Sequence, residues 1–290
     1  MPEIIEVELY RKLAEMAARH RPIASVRAPD AWYLKRGVTA AELESTVPGQ
    51  SIVAARRRGK LLLLDLSYGE PVLGLRFGMS GRLLVDGRAG IDRLWYSSSD
   101  VYDRFAVLFA DGGSMVMSDP RRLGGVDIDP DLARLGPDAL AVTRPELKAA
   151  LAGSTAPLKA RLLDQSRIAG VGNLIADEVL WRAGLSPLQE AGSLGPAALR
   201  RLHDSLTGGL AEMVERGGSH TGDLMAHRRP GGRCPRDGTE LVHATVGGRS
   251  SWWCPRHQKL RAATASVPAA GLRARSGSLP TVGERPSPPR

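Results

Sequence analysis

The first residue equipped for unusual chemistry stands second in the chain. With Met1 removed, Pro2 presents a secondary α-amine whose pKa is roughly 8, against about 10.4 for a lysine, so far more of it is free base at neutral pH. Such an amine adds to a sugar aldehyde and gives an iminium ion, the electron sink of Schiff-base chemistry. Glu3 stands beside it and is able to move protons. An ordinary N-terminus carries the same two residues, so the pair gains weight only from what accompanies it.

Three other groups accompany it. Ala169-Gly170-Val171-Gly172-Asn173 runs into a helical pattern. Its glycines permit a tight turn, the N–H groups at a helix start cradle a phosphate, and Asn173 adds a donor or a cap. A plain helix–helix connection reads the same way. Further on, the spacing Cys234-x2-Asp237-x16-Cys254-x2-His257 follows that of a zinc ribbon with two of its four cysteines replaced. Histidine is a good zinc ligand and aspartate an unusual one in a structural site. One zinc ion on Cys234, Asp237, Cys254 and His257 is the expectation; His243 is another candidate fourth ligand, and a metal-free packed finger is the other reading. The last group is cationic: Arg56-Arg57-Arg58-Gly59-Lys60, Arg121-Arg122, Lys159 and Arg249. Each is either a solvated surface residue or part of one groove, which spacing alone does not decide.

Elements must position these groups. The start predicts a helix, with Glu3, Glu6 and Glu8 favoured by the helix dipole and Leu9, Leu13 and Met16 at helical spacing. Short β segments follow at 51–55, 61–66, 72–77, 82–85, 105–109 and 114–117, separated by turns such as Asp86-Gly87 and Asp111-Gly112-Gly113. That spacing predicts an antiparallel sandwich or barrel. Beyond 129–137 the pattern turns helical, at 145–152, 158–165, 173–182 and 196–216. Residues 217–232 read as a loop, 239–253 as a hairpin between the two cysteines, and 261–290, rich in Pro, Ala, Ser, Gly and Arg, as a disordered tail.

Composition bounds the answer. The 290 residues suffice for two ordinary domains, and 42 % hydrophobic content supports a real core. Forty Lys and Arg against 31 Asp and Glu leave a net charge of +9, which favours a polyanionic partner unless it is only an Arg-rich composition. No apolar run approaches the roughly 20 residues of a membrane helix. The acidic start lacks a signal-peptide pattern, and two cysteines exclude a disulfide framework. A cytoplasmic, nucleoid-associated monomer is the default expectation.

Taken together and in order, the motifs resemble those of the bacterial formamidopyrimidine-DNA glycosylase / endonuclease VIII family of base-excision repair enzymes. The resemblance covers roughly residues 2–260 and rests on Pro2-Glu3-Ile4-Ile5-Glu6-Val7-Glu8, Arg57-Arg58-Gly59-Lys60-Leu61-Leu62-Leu63, Gly78-Met79-Ser80-Gly81-Arg82-Leu83, Asp119-Pro120-Arg121-Arg122-Leu123-Gly124, Leu135-Gly136-Pro137, Gly170-Val171-Gly172-Asn173 with Ala176-Asp177-Glu178-Val179-Leu180, and Gly248-Arg249 with Cys254-Pro255-Arg256-His257-Gln258. It implies an α+β fold: an N-terminal antiparallel β-sandwich with a leading helix (1–130), a linker (131–145), a helix–two-turn–helix domain (146–230), a zinc-finger-like hairpin (231–260) and the basic tail. It implies a glycosylase with abasic-site lyase activity on oxidised bases in damaged double-stranded DNA, nicking by β,δ-elimination.

The implied roles follow residue by residue. Pro2 attacks the sugar C1′ and Glu3 donates the proton for ring opening. Lys60 binds a phosphate and assists β-elimination, and Arg249 clasps phosphates and assists δ-elimination. Asn173 and Lys159 hold the DNA backbone. Met79, Arg121 and Leu123 fill the gap left by an extruded base. Arg76 stands where relatives carry a histidine and keeps its phosphate-binding capacity. Leu123 replaces a phenylalanine, Ile5 a proline, and the segment from Gly217 to Cys234 is shorter than the lesion-capping loop of 8-oxoguanine enzymes, so the preferred lesion stays open. Two rivals stay open: a lesion-recognising DNA-binding protein without turnover, and an abasic-site lyase without base removal.

Overall fold

The protein is described here by a computed structural model, which describes residues 2–69, 71–91 and 100–260. The tail expected at 261–290 lies outside the described residues. Helix α1 (Ile4–Ala17) leads into β1 (Ile23–Arg27), α2 (Ala40–Thr46), β2 (Ile52–Arg58), β3 (Leu61–Leu66), β4 (Val72–Arg76), β5 (Arg82–Val85), β6 (Arg88–Ala89), β7 (Asp103–Phe109), β8 (Ser114–Ser118) and β9 (Gly125–Ile128). These strands form two antiparallel sheets, ordered β1-β7-β8-β5-β6 and β2-β3-β4-β9. The sandwich, not the barrel, is the outcome. Leu62, Leu64 and Leu66 of β3 meet Val107, Phe109, Met115 and Met117 of the other sheet in one core. The alternation of β3 sends its even-numbered leucines there, while Leu61 lines a cavity at the strand's end.

The second half holds α3 (Arg144–Leu151), α4 (Leu158–Leu163), α5 (Asn173–Ala183) and α6 (Pro196–Glu215). The hairpin is β10 (Val242–Val246) paired with β11 (Arg249–Trp253), turning at Gly247 and Gly248, both in the left-handed region that this tight turn requires. The 217–232 segment contains two short 3-10 turns, Ser219–Thr221 and Met225–His227. The helical half has its own core, including Leu158, Ile175, Val179, Leu206 and Leu210.

Helix α1 belongs to both halves. Val7, Tyr10 and Ala14 enter the sandwich core, whereas Ile4 and Ile5 enter the helical one. The buried stripe therefore lies one step round from the expected Leu9–Leu13–Met16 face: Leu9 and Leu13 are half-buried and Met16 is exposed. This two-sided packing fixes Pro2 at the junction of the two halves. Among the described residues no helix is long and apolar enough to cross a membrane.

Candidate active site

The seat of the N-terminus is built from the 169–173 turn. Ile4 N–H donates to the Gly170 carbonyl at 3.2 Å, and a Cβ on Gly170 would run into the Ile4 side chain at 2.3 Å. Gly172 is tighter still: a Cβ there would lie 2.1 Å from the Glu3 carboxyl carbon. Only glycine leaves room for that carboxylate, which is fully buried and accepts the N–H groups of Leu174 at 2.8 Å and Ile175 at 3.1 Å. Glu3 thus caps α5 from the far end of the chain, satisfying two of the amides that a helix start leaves unpaired. Its own N–H donates to Glu6 at 2.7 Å. Glu6 in turn accepts Ser219 N–H at 2.7 Å, joining the first turn of α1 to the 217–221 segment.

Lys60 stands in the Gly59-Lys60 turn between β2 and β3. Gly59 adopts a left-handed φ of +57°, and its N–H donates to Asp138 at 2.7 Å. Asp138 also receives Arg57 through two bonds of 2.6 and 2.8 Å, which clamps this turn to the helical half. Pro2, Lys60, Leu61, Arg76, Leu123 and Gln165 lie on the wall of one cavity of about 270 Å³. Burial pushes the Glu3 carboxyl above its usual range, against Lys60 and the α5 amides. Burial also drives the Lys60 ammonium below the usual lysine range, against the pull of Glu3 and Glu6 and with a push from Arg249. The Pro2 amine, the Glu3 carboxyl and the Lys60 ammonium are thus gathered at one place. Arg76 reaches the cavity while its Nε donates to the buried Asp127 at 2.7 Å.

Met79, Arg121 and Leu123 sit on two loops in direct contact. A Cβ on Gly78 would meet the Leu123 carbonyl carbon at 2.3 Å. Asp119 locks the loops together by accepting Gly124 N–H at 2.8 Å and the Ser80 hydroxyl, while Arg121 N–H donates to Ser80 Oγ at 3.2 Å. The three side chains themselves are exposed. Asn173 opens α5, half-buried, with its Oδ1 unpartnered. Arg249 projects exposed from the hairpin tip, and its only side-chain bond among the described residues is a long 3.4 Å contact to the Gly248 carbonyl.

Lys159 is a correction. Its ammonium is wholly buried, paired with Asp177 at 2.7 Å and donating to the Ser250 carbonyl at 2.9 Å and to Ser251 Oγ at 2.7 Å. A lysine with its donors spent inside the protein holds the hairpin, not a DNA phosphate. Sequence reasoning also passed over Glu6, Asp138 and Asp177 as site-building groups. Each is a carboxylate whose partners lie far away in the chain, so no local pattern marks it.

The finger gathers its four donors. The ligand atoms of Cys234, Asp237, Cys254 and His257 all lie within 4.8 Å of one another, with Cys234 Sγ 3.8 Å from His257 Nδ1, and Asp237 Oδ2 3.4 Å from both Cys254 Sγ and His257 Nδ1. A tetrahedral zinc with bonds of about 2.0–2.3 Å has donor–donor edges of about 3.3–3.8 Å, so the residues present fit such an ion. His257 Nε2 faces the Trp181 carbonyl at 3.3 Å, which leaves Nδ1 turned toward the other donors. His243 is elsewhere, stacked on Trp252 at 4.3 Å and bonded to Ser250, and is not one of the four.

Residues 1–126 match the formamidopyrimidine-DNA glycosylase N-terminal domain and residues 135–224 the H2TH domain of the same enzymes. The chain is 37 % identical over 289 residues to a formamidopyrimidine-DNA glycosylase of Cereibacter sphaeroides and 36 % identical over 283 residues to one of Xanthomonas campestris pv. campestris, in each case across 89 % of this chain and 100 % of the relative. Among solved structures it resembles the Lactococcus lactis Fpg bound to DNA containing an abasic site (TM-score 0.76, 25 % identity) and MutM in complex with DNA containing carbocyclic 8-oxo-G (TM-score 0.77, 26 % identity), each match covering 89 % of this chain and 100 % of the other. The chain belongs to the formamidopyrimidine-DNA glycosylase family.

Proposed function

We propose that the protein removes oxidised bases from damaged double-stranded DNA and then cuts the resulting abasic site, through a Schiff base on Pro2. The observation that carries this reading is the placement of Pro2 and Lys60 on one cavity wall with the buried Glu3 fixed beside them. The Pro2 nitrogen forms a bond to C1′ while the glycosidic bond breaks, its electron pair leaving with the base, which takes up a proton. Glu3 protonates the ring oxygen as the sugar opens to the iminium; its raised pKa suits a donor working nearer neutral pH. Loss of a C2′ proton then expels the 3′ phosphate, and loss of a C4′ proton expels the 5′ phosphate.

Lys60 and Arg76 hold phosphates at the cavity, and Arg249 closes over them from the hairpin. Asn173 contributes at the α5 start. A base must leave the stack to reach such a cavity, and Met79, Arg121 and Leu123 stand on rigid loops to fill the gap. In the finger, Cys234, Asp237, Cys254 and His257 hold one zinc ion, which cross-links the hairpin base and takes no part in bond breaking. The protein works on DNA as a single chain in the nucleoid.

The test uses duplexes carrying 8-oxoguanine, an oxidised pyrimidine or an abasic site. The expected result is a nick with phosphate on both ends, absent with Pro2→Gly. Cutting of the abasic duplex alone would reduce the protein to a lyase. Binding without any covalent adduct would leave a DNA-binding relative without turnover.

A further inference from the structure

Outside the reacting groups, a deeply buried polar cluster surrounds Lys159 and Asp177. Asp177, on the second turn of α5, divides its carboxylate. Oδ1 pairs with Lys159 Nζ at 2.7 Å, while Oδ2 accepts Arg228 through two bonds of 3.0 and 2.8 Å and Trp252 N–H at 3.2 Å. Lys159 passes this on to the hairpin through the Ser250 carbonyl and Ser251 Oγ. Ser251 Oγ then donates to the Arg249 carbonyl at 3.0 Å. Four segments meet here: α4, α5, the 217–232 connection and β11. None of these contacts involves the metal-ligand group at the other end of the hairpin. Close packing adds a stop, because a Cβ on Gly247 at the hairpin tip would lie 2.7 Å from Ala160 Cβ, one residue after Lys159.

A buried ammonium and carboxylate are costly to desolvate, and such a pair is best justified where it fixes one arrangement among several. Here the arrangement fixed is the height and rotation of β11 over the cavity. We infer that Asp177 and Lys159 are positioning residues that aim Arg249 at the DNA phosphates, independently of the metal group. Helix α5 then carries both halves of the site: its first amides hold Glu3, and its second turn holds the hairpin that carries Arg249. The base-removing end and the phosphate-clasping end of the cavity are registered on one rigid rod.

The inference rests on the role of Arg249 in the proposed function, so the experiment separates the two. Holoprotein variants Asp177→Asn, Arg249→Ala and the double variant are given an abasic duplex. The share of doubly eliminated product and the salt dependence of binding are read, with thermal melting as the check on folding. The expected result is that Asp177→Asn lowers that share by roughly tenfold or more, the cost of displacing an acting group by about an ångström. It also flattens the salt slope as Arg249→Ala does, and the double variant is no worse than Arg249→Ala alone. If Asp177→Asn does not fold, Ser251→Ala, alone and with Arg249→Ala, provides the same cycle through the last link of the chain. A wild-type product share in the positioning variants, or losses that multiply in the double variant, overturns the inference while leaving the function standing. Wild-type behaviour of Arg249→Ala overturns the inference together with the role proposed for Arg249.

Discussion

The N-terminal seat and the finger both hold groups proposed to act on DNA, yet they are built by opposite means. The seat is made of packing. Glu3 and Ile4 are fully buried, Gly172 and Gly170 have no room for a Cβ, and the carboxylate is held by backbone amides. The finger is made of cross-links. Its apolar cluster is small (Trp181, Leu224, Cys234, Leu241, Trp252 and Cys254), and its order comes from four gathered donors and a buried ion pair. A reacting nitrogen needs a position set from every side, which two domain cores converging on one helix supply. A phosphate clasp needs a short rigid arm, which a hairpin with too little apolar surface achieves only when tied at both ends.

The sharpest way to break this contrast is Gly172→Ala. The new methyl group would displace the Glu3 carboxylate from the α5 amides, so base removal should fall far more than binding to intact DNA. Stability should drop by about 1–3 kcal/mol, the usual cost of overpacking. Excision kinetics and melting check this, and unchanged excision would mean the seat tolerates what its geometry forbids. Chelating the metal proposed for the finger comes next. Chelation should weaken binding of abasic DNA by roughly tenfold or more, as loss of ligand geometry commonly does. The main melting transition should stay in place because the other two cores do not share residues with the finger. Metal analysis should return one ion per chain, and collapse of the whole fold on chelation would contradict the separation.

A smaller effect tests the burial of Glu3. Its carboxyl is raised in the folded protein, so as pH rises the unfolded chain releases its proton first and stability falls until the folded group has also ionised. Glu3→Gln lacks that titration. Its melting temperature relative to wild type should therefore climb as pH rises above the ordinary carboxylate range; a constant or falling difference would contradict the assignment. Smallest in stability is Leu123→Ala. The side chain is half exposed, so melting should move within about 0.5 kcal/mol. Excision of a paired damaged base should slow more than cutting of a ready-made abasic site, because only the former needs the gap filled.

Much of this was legible in the chain because it is local. The leucine run at 61–66, the Asp86-Gly87 turn and the 173–183 helix each announce themselves within a few residues, and the fold places them where expected. Strands β1 and β9 were not legible: Ile23–Arg27 and Gly125–Ile128 are short and become strands by pairing with β7 and β4. Met16 fitted the helical spacing as well as Ala14 did, and only the position of the second sheet decides which is covered. The site divides in the same way. Pro2, Glu3 and Lys60 were visible as types in motifs, whereas Glu6 reaches Ser219 across 213 positions and Lys159 reaches Ser250 across 91. A cation whose partners lie that far off looks, in sequence, like any surface lysine.

The most direct test of the central claim is borohydride reduction of the protein with an abasic duplex, followed by mass mapping of the modified peptide. The sugar fragment is predicted on the Pro2 nitrogen of Met1-processed chains, with no adduct in Pro2→Gly. Attachment to Lys60, or no attachment with folded and correctly processed protein, would contradict a mechanism built on the N-terminal seat.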